Sequence, residues 1–354
     1  MSIEPRPAAA GADPSAWITR RFFTASGAAV AEFAPGIEPA MVFQRLARGR
    51  YCLFLDSAQP PGAAAGLTTA PRLDRHSFVA VDPIHSIELA ADATADTLAD
   101  AFARLRRLLA DLACPTIPGL PSFQGGVAGL VSYECGLVQL GLPSGRPSAA
   151  ATPLVSLHVF DTVCGFDHDS GRGWIVSQGV PARGPAARRA RAEERLASLR
   201  AALGRPGGGV DAPRQAAAGG RDRRVRHPSE GHVVEGFTGP GDGPLVSTQS
   251  PESHRELVRA GIEMVRAGDV FQVNLAQQFT LPTSLDPVAL HLRGRLLNPA
   301  PFAGFFAAGP ATVVSMSPER LLQVERRTVR MHPIKGTRRM LALPEADLYA
   351  GEDL

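Results

Sequence analysis

Through residue 182, short β-rich runs follow one another with glycine- and proline-bearing loops between them. Residues 52–55, 77–81, 127–131, 155–160 and 174–176 are such runs, and 101–112 is the helical stretch among them. A parallel sheet needs a crossover, usually a helix, between each pair of strands. This part of the chain does not supply those helices, which argues against a doubly wound parallel sheet and predicts an antiparallel α+β architecture. With 354 residues the chain has room for one large domain or two.

The stretch 183–226 holds twelve arginines against Glu193, Glu194, Asp211 and Asp222, a balance of +8 in a chain of net charge +3. Leu196, Leu199 and Leu203 form a narrow helical stripe before Gly204, whereas 207–209 and 216–220 carry no pattern. The segment therefore reads as a solvated helix followed by a linker. No aromatic residue interleaves with its arginines, so no nucleic-acid partner is expected. The chain divides accordingly into an N-terminal region (1–182), an Arg/Gly/Pro-rich helix and linker (183–245) and a third region (246–354).

In that third region Ser250 is placed to cap a helix, Pro251 suits its first turn, and Leu257, Val258, Ile262 and Val265 share one face before Gly268. Residues 271–281 then alternate apolar and polar, the two-residue period of a strand, with Gln272, Asn274, Gln278 and Thr280 on one face. That face either meets water or lines a polar cavity, since it carries uncharged hydrogen-bonding groups. Asp286 and Pro287 open another helix, which the 298–302 segment breaks. Strands over 312–316 and 321–324 flank Ser317-Pro-Glu-Arg320, and a strand over 328–331 leads into Pro333-Ile-Lys-Gly-Thr337.

Several chemistries are excluded. Lys335, the single lysine beside 36 arginines, lies between Ile334 and Gly336 and so cannot belong to a phosphate-binding P-loop. There is no H-E-x-x-H, G-x-S-x-G or G-x-G-x-x-G motif. Cys52, Cys114, Cys135 and Cys164 are too scattered for a zinc ribbon or a disulfide scaffold and read as buried free thiols. No apolar run is long enough to span a bilayer and the first residues lack a signal-peptide pattern, so no membrane partner and a cytoplasmic location are expected. Glu319, a carboxylic acid, and Lys335, an amine, both stand at strand ends, and each reads either as a structural charge, a turn carboxylate paired with Arg320 and a solvated cation, or as a reactive group. They are suited to act as general acid and as nucleophile or base. An amine can lose its proton and attack carbon, which a guanidinium cannot do. Gly336 and Thr337 after it offer backbone N–H groups and a hydroxyl to a carboxylate.

The strings Leu53-Phe-Leu-Asp-Ser57, Ser77-Phe-Val-Ala-Val-Asp-Pro83, Phe123-Gln-Gly-Gly126, Gly268-Asp-Val-Phe-Gln-Val-Asn-Leu-Ala-Gln277, Ser317-Pro-Glu-Arg320 and Pro333-Ile-Lys-Gly-Thr337 carry a family resemblance. The chain resembles component I of aminodeoxychorismate synthase, in the chorismate-utilising family that includes anthranilate synthase component I and the isochorismate and salicylate synthases. Lys335 is similar to the aminodeoxychorismate branch, because anthranilate synthases generally carry alanine there. Gln272 stands where the isochorismate and salicylate enzymes tend to carry lysine.

The resemblance implies two largely antiparallel sheets packed face to face with flanking helices, the active site lying in the cleft between them. It implies conversion of chorismate and ammonia to 4-amino-4-deoxychorismate for 4-aminobenzoate and folate synthesis. The ammonia comes from glutamine through a glutamine amidotransferase partner subunit. Glu319 then protonates the departing C4 hydroxyl, Lys335 adds at C2, and ammonia adds at C4 and expels the lysine. Gln272, Gly336 and Thr337 contact the substrate, and Ser57, Pro301 and Phe302 match a tryptophan pocket. Mg²⁺ is the implied cofactor, with its family ligands in segments that follow the Lys-Gly-Thr strand and are absent from this chain. The domain is accordingly expected to be incomplete at its C-terminus and the 354 residues inactive by themselves. Anthranilate synthase component I, or a non-catalytic tryptophan- or partner-binding remnant, are the alternative expectations.

Overall fold

The computed structural model describes residues 17–47, 51–57, 75–142, 152–205, 232–235, 243–309, 311–325 and 327–333. It opens on β1 (Ile18–Phe23), β2 (Ala29–Phe33), α1 (Pro39–Leu46), β3 (Tyr51–Asp56), β4 (His76–Val81) and β5 (His85–Leu89). Next come α2 (Ala95–Asp111), β6 (Gly126–Val131), α3 (Tyr133–Gln139), β7 (Val155–Phe160), β8 (Thr162–Asp167), β9 (Arg172–Ser177) and α4 (Pro185–Gly204). The remainder is β10 (His232–Val233), β11 (Val246–Ser247), α5 (Pro251–Ala267), β12 (Phe279–Thr280), α6 (Pro287–Leu297), β13 (Phe302–Ala308), β14 (Ala311–Ser317), β15 (Gln323–Glu325) and β16 (Thr328–Arg330).

The predicted α+β class is observed. An eight-stranded sheet runs in the order β1-β2-β9-β8-β4-β3-β13-β14 and a three-stranded sheet in the order β5-β7-β6. Every pairing among the described residues is antiparallel. Alternate residues of the central strands feed two different cores, as the two-residue strand period requires. Cys52 and Phe54 of β3, Val79 of β4 and Phe305 of β13 point to one side, where α1 and α4 pack with Val42, Phe43, Leu196 and Leu203. Leu53, Ala80, Val163 and Phe306 point to the other, against Phe160, Ala128 and Leu130 of the small sheet. Behind the small sheet, α2 and α3 close a third core around Leu98, Cys135 and Val155. The result is four layers, helices outside two sheets. Because these strands are buried on both faces, they read as near-continuous apolar runs.

Helix α4 corrects the expectation of a solvated helix. Ala192, Leu196, Leu199 and Leu203 are buried against the large sheet, so the leucine stripe is a core face. Arginines of this helix tie it to neighbouring loops: Arg188 donates to the Gln178 carbonyl, Arg191 to that of Val180, and Arg195 to Asp161 and the Asp82 carbonyl. Gly179, at φ +68°, lets the backbone approach closely, since a Cβ there would stand 2.1 Å from the Arg188 carbonyl oxygen. The sheet also joins distant parts of the sequence. Strand β13, from the 246–354 stretch, lies beside β3 with Ala303 opposite Asp56 and Phe306 opposite Leu53.

The strand expected over 271–281 is not formed along its length. Only Phe279–Thr280 pairs, with Val246–Ser247, while 271–278 is irregular and Phe271 is 94% exposed. A two-residue alternation assigns side chains to faces but creates a strand only where a neighbouring strand supplies an edge. Among the described residues that edge extends for two residues. Helix α5 does form as predicted, with Ser250 accepting the Ser253 N–H and Gly268 in the left-handed conformation. Its apolar face is nonetheless largely exposed at Leu257, Val258, Ile262 and Val265, with Val273 approaching it at Gly261. Of the four cysteines, Cys52, Cys135 and Cys164 are buried free thiols, and burial pushes those of Cys52 and Cys164 far up. Cys114 is half-buried, with its sulfur accepting from Arg188. No helix among the described residues is long and apolar enough to cross a membrane.

Candidate functional site

The end of β3 meets the start of β13 at a buried polar junction. Ser57 leaves the sheet just after Asp56, its hydroxyl 2.7 Å from the His76 carbonyl and 3.2 Å from that of Pro301. Its backbone N–H donates to the Ser77 hydroxyl, which lies 2.8 Å from His168 Nε2. Three residues expected to form one pocket, Ser57, Pro301 and Phe302, are thus brought together. Ser57 is committed to backbone carbonyls there.

Asp56, 2% exposed, anchors this junction to α6. Arg295 grips both carboxylate oxygens, Nε to Oδ2 at 2.7 Å and Nη2 to Oδ1 at 3.4 Å. Burial by itself raises the Asp56 carboxyl, but the facing His291 and Arg295 outweigh it and hold it below the ordinary value. His291 Nε2 stands 3.6 Å from Oδ2, beyond hydrogen-bond reach, and the imidazole is enclosed by the rings of Phe43, Phe54 and Phe305. Neither ring nitrogen of His291 has a hydrogen-bond partner among the described residues. Asp56, His291 and Arg295 were not singled out by the sequence reading. The available signal was a lone charge ending an apolar run, with His291 and Arg295 one helical turn apart.

Glu319 lies on the turn that leaves β14, and the β13–β14 register sets Ser317 opposite Phe302. The turn is closed by Ser317, whose hydroxyl donates to the Glu319 carbonyl at 3.0 Å and accepts the Glu319 N–H at 3.4 Å. The Arg320 guanidinium lies over the Phe302 ring, 4.5 Å from its centroid, and reaches Gln323. The candidate acid and the Ser57–Pro301–Phe302 cluster therefore occupy the same end of one hairpin. Glu319 itself is half-buried.

Other expected site residues are not assembled here. Gln272 is exposed on the irregular 271–278 segment, its amide donating to Asn274 at 3.3 Å, which corrects its placement on a regular strand face. Lys335, Gly336 and Thr337 lie outside the described residues. Among the described residues there is no group of three or more His, Cys, Asp or Glu side chains that could hold a metal ion. The described residues thus offer Mg²⁺ no such set of ligands, and no chemical step is assigned to it.

The Ser57 end of the sheet carries a pH-sensitive support. Arg75 bridges Asp167 at 3.0 Å beside His168. Burial alone raises the Asp167 carboxyl, but Arg75 and the Asp169 N–H together lower it to about 2. A carboxyl held down in the folded state stabilises at pH values above its unfolded pKa, and the contribution is lost as pH falls through the folded value. Arg75 is 50% exposed and therefore water-screened, so we expect Asp167→Asn to cost about 1 kcal/mol near neutrality. That difference should shrink as the pH falls below the ordinary carboxyl value and vanish below about pH 2 in urea titrations of the two proteins. A constant difference across the range would remove Asp167 from the acid sensitivity.

Comparison with known proteins gives the chain a family and relatives. The family model described as chorismate binding enzyme matches residues 52–354. Anthranilate synthase component 1 of Thermus thermophilus is 32% identical over 237 residues, covering 67% of this chain and 45% of the relative. The protein of that name from Streptomyces coelicolor is 31% identical over 256 residues, covering 72% and 46%. That from Pseudomonas aeruginosa is 32% identical over 260 residues, covering 72% and 48%. The chain thus spans just under half the length of these relatives.

Proposed function

The chain belongs to the chorismate-binding enzyme family, and from that premise we propose that it serves as an anthranilate synthase component I. In this reading the substrates are chorismate and ammonia, the latter supplied by a glutamine amidotransferase partner. The observation that carries the reading is the agreement of three relatives of that name at 31–32% identity. The chemistry is compatible with the hairpin end. Amination at the expense of a hydroxyl needs a proton for a poor leaving group, and Glu319 is a half-buried carboxyl at a fixed turn beside Phe302. Ammonia forms the new C–N bond and gives up one proton, the hydroxyl leaves as water with the proton from Glu319, and loss of the enolpyruvyl side chain as pyruvate then aromatises the ring to anthranilate.

One observation favours a second reading, an aminodeoxychorismate synthase component I. Lys335 is the only lysine of the chain and stands in the Pro-Ile-Lys-Gly-Thr string. An amine at that place can form the transient covalent bond which that branch of the family uses.

Product identity separates the two. The chain is assayed alone and joined to the stretch of the Thermus thermophilus relative that follows the matched part, with chorismate, Mg²⁺ and an ammonium salt. Anthranilate is the expected product of the joined protein. Accumulation of 4-amino-4-deoxychorismate would establish the second reading, and isochorismate would exclude both. Turnover by the 354 residues alone would overturn the expectation that they are inactive by themselves.

A further inference from the structure

The residue that follows Glu319 is an arginine. A guanidinium set against a carboxyl favours the ionised form, which has no proton to give. The structure takes Arg320 elsewhere. Its guanidinium lies over the Phe302 ring, 4.5 Å from the centroid, and its Nη1 donates to Gln323 Oε1. Among the described residues Arg320 makes no ion pair, with Glu319 or with any other carboxylate. Its charge rests instead on a π face and an amide oxygen, a neutral seat supplied by β13 and β15.

The hairpin specifies this seat. Phe302 opens β13 opposite Ser317, which ends β14, so the ring stands beside the turn that carries Glu319 and Arg320. Gln323 opens β15 three residues beyond Arg320. Burial and the neighbouring Arg330 lower the Arg320 guanidinium from its ordinary value, yet a guanidinium stays charged, so the cation needs both the ring and the amide. Strands β13 and β14 carry no charged residue, Arg330 of β16 pairs with Glu325 at 3.2 Å, and Arg295 of α6 is held by Asp56. We propose, on the reading of Glu319 as the proton donor, that Phe302 and Gln323 are positioning residues which keep the Arg320 guanidinium off Glu319. What matters is where Arg320 goes, whatever else Glu319 touches.

The test titrates the Glu319 carboxyl in the 354-residue chain by carbon-13 NMR of labelled glutamate, with Glu319→Gln assigning its signal. Phe302→Leu removes the ring and is expected to lower the Glu319 midpoint by about half a pH unit or more, as the freed guanidinium turns to the carboxyl. Adding Arg320→Gln to Phe302→Leu is expected to restore the midpoint, whereas Arg320→Gln in the parent should move it much less. A purely structural role for the ring predicts no such rescue. An unchanged midpoint in Phe302→Leu overturns the proposal, and so does an equal effect of Arg320→Gln in both backgrounds. Gln323→Leu loosens the same seat from a half-buried position and should act in the same direction. Where Phe302→Leu unfolds, the absence of a shift in Gln323→Leu overturns the proposal. Product assays of the joined protein decide the reaction separately. No anthranilate beside the expected titrations removes the proposed reaction and leaves the seat, whereas anthranilate beside unchanged midpoints removes the seat alone.

Discussion

Replacing Asp56 by alanine is expected to lower the unfolding free energy by about 3–5 kcal/mol, the cost of leaving a buried charge without its partner. The carboxylate is fully enclosed and Arg295 is 21% exposed, so water cannot replace the lost contact well. Both oxygens are used, which makes the pair a two-point clamp between β3 and α6 rather than a loose surface bridge. The consequence extends to the candidate site, because the residue after Asp56 is Ser57 and the chain after α6 runs directly into Pro301 and Phe302. Asp56→Asn keeps the shape and one acceptor and should cost less. The double change Asp56→Ala with Arg295→Leu removes the stranded charge together with its partner and should recover much of the loss. Urea midpoints at unchanged m give these differences. A loss below about 1 kcal/mol for Asp56→Ala would show the junction to be solvated and the clamp dispensable.

The clamp also marks where sequence reading stops. Strands β3, β4, β7 and β9 were legible because burial on both faces demands apolar residues at consecutive positions, and Leu53 serves one core while Cys52 and Phe54 serve the other. Strand β1 was not, since its four central residues are exposed and its Arg20 and Arg21 carry no strand signature. The helix at 185–204 was legible in its leucines, but its burial was hidden by the arginines, whose guanidinium groups reach carbonyls of neighbouring loops. The 271–281 alternation was strong and still insufficient, because a strand is a property of a pair. Of the site, Glu319 stood out in its turn, and Ser57, Pro301 and Phe302 were reached through resemblance. Asp56 and Arg295 are 239 residues apart, and an ion pair across such a separation leaves no local pattern to read.

Lys335 gives the sharpest discrimination between the two proposed reactions. If the amine forms a transient bond to substrate, Lys335→Ala in the joined protein should reduce 4-amino-4-deoxychorismate formation by at least about a hundredfold, with any residual product shifted toward anthranilate. Lys335→Arg should be as damaging, because the guanidinium keeps the charge yet stays protonated and cannot attack carbon. That pair of variants separates nucleophile from counter-ion. A counter-ion role predicts rescue by arginine, whereas a covalent role predicts none. The pH profile adds an independent sign, because only the unprotonated amine reacts and an unperturbed lysine titrates near about 10.4, so the covalent route should accelerate with rising pH until that amine is neutral. If both variants instead make anthranilate at the parental rate, the lysine is a spectator, ammonia alone supplies the new bond, and the anthranilate reading stands. The lysine's isolation beside 36 arginines gives this comparison its point, since a position needing charge alone is filled by arginine everywhere else in the chain.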